Sequence, residues 1–209
     1  MEEVIYCFWT GYNEMSENRK KCIEQLIHDS ECKVILVTPH NLNDYILPEH
    51  PLHPGYEFLS ETHKADYLRT YFMNFHGGGY SDIKKPSGSW KNAFVELNNR
   101  ANDWICGYPE IEGGAACGDW RELVGTPAFI CKPNTPLTNE WYNEMITLLD
   151  RKLEELRLHP ARFPQDCREV SNYPIEWNEM LGRIFHKVCT TYKHHLLRIL
   201  PMPICNDYR

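Results

Sequence analysis

The sequence predicts an α/β fold with a helical C-terminal third, and three observations carry that reading. Two apolar runs, "EVIYCFW" (3–9) and "KVILVT" (33–38), flank a helix-like stretch at the spacing of a βαβ unit in a mainly parallel sheet. A long amphipathic stretch ends in Gly77-Gly78-Gly79 and returns to extended chain in "YSDIK". Beyond about residue 132 the short alternating pieces give way to long helical periodicity.

Taken in order, the first run is rich in β-branched and aromatic residues and gives way to the turn "TGYNEMS". Ser16 can cap a helix over about 17–29, with Cys22, Leu26 and Ile27 turned inward. The Pro-, His- and Asn-rich stretch 39–57 reads as a loop with one short helix near 41–46. A helix over about 59–76 presents Leu68, Tyr71, Phe72 and Phe75 as a buried stripe. A polar helix (91–100), the strands "DWICGY" and "PAFICK", and a Gly-rich loop (113–118) complete the first part. Helices over about 137–158 and 175–199 follow. The expected organisation is one domain, with an α/β core over about 1–132 and a helical extension over about 133–209.

The chain carries 29 acidic against 22 basic residues, a net charge of −7, mixed along its length. That excludes nucleic-acid binding by a basic face. The nine cysteines form no Cys-x-x-Cys pair, which excludes a zinc ribbon or a dithiol redox motif. Several of them sit in apolar runs, where a thiol behaves as a small hydrophobe. The expectation is a reduced, cytoplasmic protein without a membrane span.

The candidate chemistry lies in "HKADYLRTYFMNFHGGGYSDIK" (63–84). Asp66 and Arg69 are three apart and share a helix face; as a surface ion pair they would be worth only about 0.2–0.5 kcal/mol. Their place at the edge of the buried stripe, one helix and one turn before Asp82 at a strand end, favours a ligand site instead, because open α/β sheets bind ligands there. The glycines end the helix and supply positive φ, or let backbone approach a ligand.

The pattern Ala-Asp-x-x-Arg, an apolar stretch, then Gly-Gly-x-Tyr-x-Asp closely resembles the DXD-type glycosyltransferases. That group includes the capsular-polysaccharide synthesis proteins and the toxin glucosyltransferase domains. "IYCFWTG" resembles their first strand, and "CKPNTPLTNEWYNEMITLLD" and "YPIEWNEMLGRIFH" resemble downstream blocks. The resemblance implies a GT-A-type fold and transfer of a hexose-type sugar from a nucleoside diphosphate sugar, UDP favoured over GDP, to a glycan acceptor in polysaccharide biosynthesis, with retention. It implies Asp66, Arg69 and Asp82 as catalytic residues, with Trp9 stacked on the base; Lys84, this chain's own residue beside Asp82, joins them as a catalytic candidate. Thr10, Gly11, His63, Gly78, Gly79, Tyr80 and Ser81 then complete the donor site. Asp119, Trp120, Glu176 and Trp177 fall on the acceptor side.

The chain departs from that family at Asp82-Ile83-Lys84, where Asp-x-Asp is usual. Three roles are open to Lys84: it replaces the divalent cation (Mn²⁺ or Mg²⁺) at the diphosphate, it points away while His186 or Asp207 completes a metal site with Asp82, or it is a solvated strand-end residue. Retained metal dependence is the expectation. The alternative function is a nucleotide-sugar- or carbohydrate-binding protein that has lost catalysis.

Overall fold

The computed structural model describes residues 1–206. Six strands form one sheet: β1 (Val4–Phe8), β2 (Lys33–Val37), β3 (Gly78–Ser81), β4 (Ile105–Pro109), β5 (Val124–Cys131) and β6 (Leu196–Leu197). Their order is β2-β1-β3-β5-β4-β6. β1 pairs in parallel with β2 and β3, and β6 with β4, while β5 runs antiparallel to β3 and β4. The chain leaves β1 toward β2 on one side and reaches β3 on the other. The carboxyl ends of β1 and β3 therefore frame the switch point where such sheets bind ligands.

Alternation along the strands explains why both faces are covered. In β1, Val4, Tyr6 and Phe8 enter one core, and Ile5 and Cys7 enter the other. α1 (Glu17–Asp29) and α3 (Lys91–Asn99) cover the second face with Cys22, Leu26, Phe94 and Leu97. α2 (Glu61–Phe75), α4 (Pro136–Leu158) and α5 (Ile184–Thr191) cover the first. Trp141, Met145 and Phe185 share one core with Phe72 and Phe129, so the C-terminal third packs into the α/β core as well as following it. Ser16, Ser60 and Thr135 cap α1, α2 and α4 by accepting a backbone N–H three residues on.

Two local expectations are corrected. Gly78 and Gly79 are strand residues, because β1 needs a bare neighbour: a Cβ on Gly78 would lie 3.0 Å from Val4, and one on Gly79 would lie 3.0 Å from Trp90 and 3.2 Å from Ile5. The helix expected over 175–199 is interrupted. A π turn (Glu179–Arg183) leads into α5, which ends at Thr191. Sheet pairing of Leu196 and Leu197 with β4 then overrides the apolar periodicity, and Trp104 stacks on His195 with ring centroids 3.6 Å apart.

Gly77 closes α2 at φ +68°, its N–H donating to the carbonyl of Phe72 at 2.9 Å. A Cβ there would lie 2.5 Å from Pro133 Cδ. Gly77→Ala should therefore cost about 1–3 kcal/mol of stability, read as a lower urea midpoint at unchanged slope; an unchanged midpoint would show that the turn accepts a side chain.

Candidate active site

A cleft of about 580 Å³ opens at the carboxyl ends of β1 and β3. It collects Trp9, Thr10 and Gly11 from the end of β1, Arg19 from α1, Arg69 from α2, and Tyr80, Ser81, Asp82 and Lys84 from β3 and its exit. Trp9 donates its indole N–H to Asn13 O at 2.8 Å, and Thr10 donates its hydroxyl to Glu61 O at 3.0 Å. Gly11 fits this turn because a Cβ would lie 2.4 Å from Asn13 Oδ1.

The centre is a buried charge cluster. One guanidinium nitrogen of Arg69 lies 3.2 Å from Asp66 Oδ1 and 3.5 Å from Asp82 Oδ1. The other terminal nitrogen donates to Thr126 O on β5, and the guanidinium lies 4.1 Å from the centre of the Tyr80 ring. Tyr80 donates its hydroxyl to Asp82 Oδ1 at 2.5 Å, and Lys84 Nζ donates to Asp82 Oδ2 at 3.0 Å. Side-chain exposure is 5% for Asp66, 8% for Arg69, 10% for Lys84 and 26% for Asp82, so neither the surface-pair reading nor the solvated-lysine reading holds. Asp66 is not on the cleft wall. It stands behind Arg69 and fixes the guanidinium that is.

The two carboxyls are tuned in opposite directions. Burial raises Asp66, and Arg69 and His63 only partly offset it. Burial also works to raise Asp82, but Arg69, Lys84 and the Tyr80 hydroxyl outweigh it and hold the carboxyl below its ordinary range. Burial likewise raises the Tyr80 hydroxyl well above the usual phenol range, so it donates and stays neutral.

Arg19 was not among the sequence candidates, yet it lines the cleft and donates to Ile83 O at 2.8 Å. Its signal was topological: the third residue of the first βα helix faces the carboxyl edge of the sheet. Other candidates fall elsewhere. His63 is fully buried, with Nδ1 3.1 Å from Ser60 Oγ and 3.0 Å from the Tyr173 hydroxyl; burial holds it below its ordinary pKa. Gly78 and Gly79 lie inside the sheet. His186 accepts from Ala116 N at 3.0 Å and lies 3.3 Å from Glu110, where it pins the Gly-rich loop to α5. That loop, Asp119 and Trp120 stand off the cleft. Glu176 pairs with Arg183 at 2.6 Å, and only Trp177 of the acceptor-side candidates reaches the cleft.

A hard divalent cation needs about six to eight oxygens around it, many from carboxylates. Both Asp82 oxygens are engaged by Tyr80, Arg69 and Lys84, and His186 is not brought to Asp82. No group of three or more His, Cys, Asp or Glu among the described residues could hold a metal ion. Asp207 lies outside the described residues. The described residues do not fit the cation.

Residues 1–82 match the family model described as capsular polysaccharide synthesis protein. Among solved structures, the chain is similar to one titled "PaToxG Glycosyltransferase", with a TM-score of 0.51 and 12% sequence identity, covering 91% of this chain and 69% of that one. No curated protein sequence matches. The fold is α/β and like that of the matched glycosyltransferase structure, and the two findings together support the glycosyltransferase resemblance. The family match reaches Asp82 and stops short of Lys84. Among the described residues, no helix is long and apolar enough to cross a membrane.

Opposite tuning gives opposite pH signatures. The raised Asp66 carboxyl penalises the fold as pH climbs above about 3.9, so the urea stability of wild type relative to Asp66→Asn should fall with rising pH. The lowered Asp82 carboxyl contributes stability that is fully present above about 3.9 and lost as pH falls through its own lower pKa. Wild type should therefore gain on Asp82→Asn with rising pH. Parallel profiles for the two variants would contradict this arrangement.

Proposed function

We propose that the protein transfers a hexose-type sugar from a nucleoside diphosphate sugar, a UDP-sugar first, to a glycan hydroxyl with retention at the anomeric carbon. The observation that carries this reading is the convergence of Trp9, Arg19, Arg69, Asp82 and Lys84 on one cleft at the switch point of the sheet. The half-buried Trp9 indole that lines the cleft suits a nucleobase. Arg19, Arg69 and Lys84 offer three cationic groups to a diphosphate.

In the reaction, the acceptor oxygen forms the new bond to the anomeric carbon as the bond from that carbon to the diphosphate oxygen breaks. The electron pair departs on the diphosphate, and the hydroxyl proton passes to the diphosphate or to solvent. Stabilising the charge that builds on the leaving oxygens is the protein's main task. Lys84 and Arg19 take that role from the side of the Asp82-Ile83-Lys84 segment. Asp82 holds Lys84 and Arg69 in place while accepting from Tyr80. Asp66 is a positioning residue, acting through Arg69. The low exposure of Lys84 and Arg69 strengthens their field, since little water screens it. On this reading the lysine supplies positive charge where the family uses a cation.

UDP should raise the melting temperature by mass action, equally in Mn²⁺ and in EDTA. Lys84→Met should weaken UDP binding by about tenfold or more, given about 1.5–3 kcal/mol for a hydrogen bond to a charged group. Stabilisation by UDP only when Mn²⁺ is present would overturn the role of Lys84. Binding of UDP-sugars with no slow release of UDP from any of them would favour the non-catalytic alternative.

A further inference from the structure

The same cleft has a second wall that the donor reading leaves unused. It is built by the first turn of α2 (Glu61, Thr62) and by Phe163, Pro164, Gln165 and Trp177 from the segment joining α4 to the π turn. That segment has no helix or strand of its own, yet it is firmly held. Asp166 is fully buried and accepts from Arg162 N at 2.9 Å and from the Ser171 hydroxyl at 2.6 Å. Ser171 in turn accepts from Tyr173 N at 2.9 Å, and the Tyr173 hydroxyl reaches His63 under α2. Pro164 O accepts the backbone N–H of Thr62 at 3.1 Å, and Trp177 N donates to the Glu169 carboxylate at 3.1 and 3.2 Å.

What this scaffold presents is two large rings that the fold does not bury: Phe163 is 46% exposed and Trp177 is 44% exposed. Beside them, Glu61 uses one carboxylate oxygen for Lys64 at 3.0 Å. Its other oxygen, Oε2, is buried without a hydrogen-bond partner among the described residues. The Glu61 side chain is 28% exposed and lines the cleft, so its carboxylate can accept from a ligand hydroxyl.

We infer that this wall is an acceptor subsite for a neutral pyranose, whose apolar face lies on Trp177 and Phe163 while one hydroxyl donates to the Glu61 carboxylate. The inference rests on the transferase reading and adds the acceptor's chemistry to it. Charge decides which wall takes which substrate. Arg19 and Lys84 stand on the wall that suits a diphosphate, whereas a carboxylate repels phosphate and accepts from hydroxyls. Aromatic rings with a few placed polar groups are the usual lining of a small-molecule site. Gln165, with both amide donor and acceptor, can serve a further ring hydroxyl.

The test is saturation-transfer NMR on the full chain, with a mixture of methyl gluco-, galacto- and mannopyranosides, with and without UDP. Wild type should transfer saturation to at least one pyranoside. Joint Phe163→Ala and Trp177→Ala substitution should weaken that binding about tenfold or more, as loss of aromatic anchors does. Glu61→Gln should reduce it severalfold, and the melting-temperature rise caused by UDP should persist in all variants. A UDP response without any ring-dependent pyranoside signal removes the subsite and leaves the donor reading standing. A ring-dependent pyranoside signal without a UDP response keeps the subsite and removes the donor reading.

Discussion

The site depends on one buried guanidinium. Arg69 is held from behind by Asp66 on its own helix, from the front by Asp82 at the exit of β3, from the side by Thr126 O on β5, and over its face by Tyr80. These contacts tie α2 to two neighbouring strands at the end of the sheet where the ligand cleft opens. A buried cation with one partner is a liability, since removing a partner from such a cluster costs about 3–5 kcal/mol. With two carboxylates, a carbonyl and a ring face it becomes a fixed point. Asp82 is positioned by it directly and Lys84 through Asp82, while Arg19 separately holds the backbone between them at Ile83 O.

The glycines between α2 and β3 serve this constraint rather than a ligand. Arg69 and Asp82 can meet only if the chain reverses within a few residues and β3 runs flush against β1. Gly77 provides the reversal with its positive φ, and Gly78 and Gly79 provide the close approach to Val4 and Ile5. Tyr80 follows at once and places its hydroxyl on Asp82. Helix end, strand packing and site geometry are thus one requirement met by four consecutive residues.

This division explains what could be read from the sequence. α1 and α2 were legible because a serine cap and an apolar period specify each of them locally. Asp66, Arg69 and Asp82 were legible because they lie within seventeen residues and fit a spacing pattern. Arg19 meets Ile83 across sixty-four positions, and Pro164 meets Thr62 of α2 across 102. Such meetings are set by sheet order and loop anchoring, which leave no local period. His63 and His186 misled for the reverse reason. Their residue type suggests chemistry, but their burial and partners show that they anchor Tyr173 and the Gly-rich loop. The expected helix beyond Thr191 failed because strand pairing with β4 is non-local as well.

The two carboxylates of the cluster show how one cation can carry two tasks. Asp66 lies deep, where burial dominates and makes its charge costly, so it is spent on orienting Arg69. Asp82 lies nearer the mouth, with Lys84 and Tyr80 added to Arg69, so it stays charged readily and faces the cleft. The price of placing Lys84 there is that Asp82 is occupied on both oxygens, which is why a second carboxylate in that position and a lysine are not interchangeable. A carboxylate would leave a pair of acids seeking a cation. A lysine closes the pair internally and keeps a positive charge on the cleft wall. Change at one residue after the strand end thus alters what the cleft can accept without disturbing the guanidinium that holds the site together.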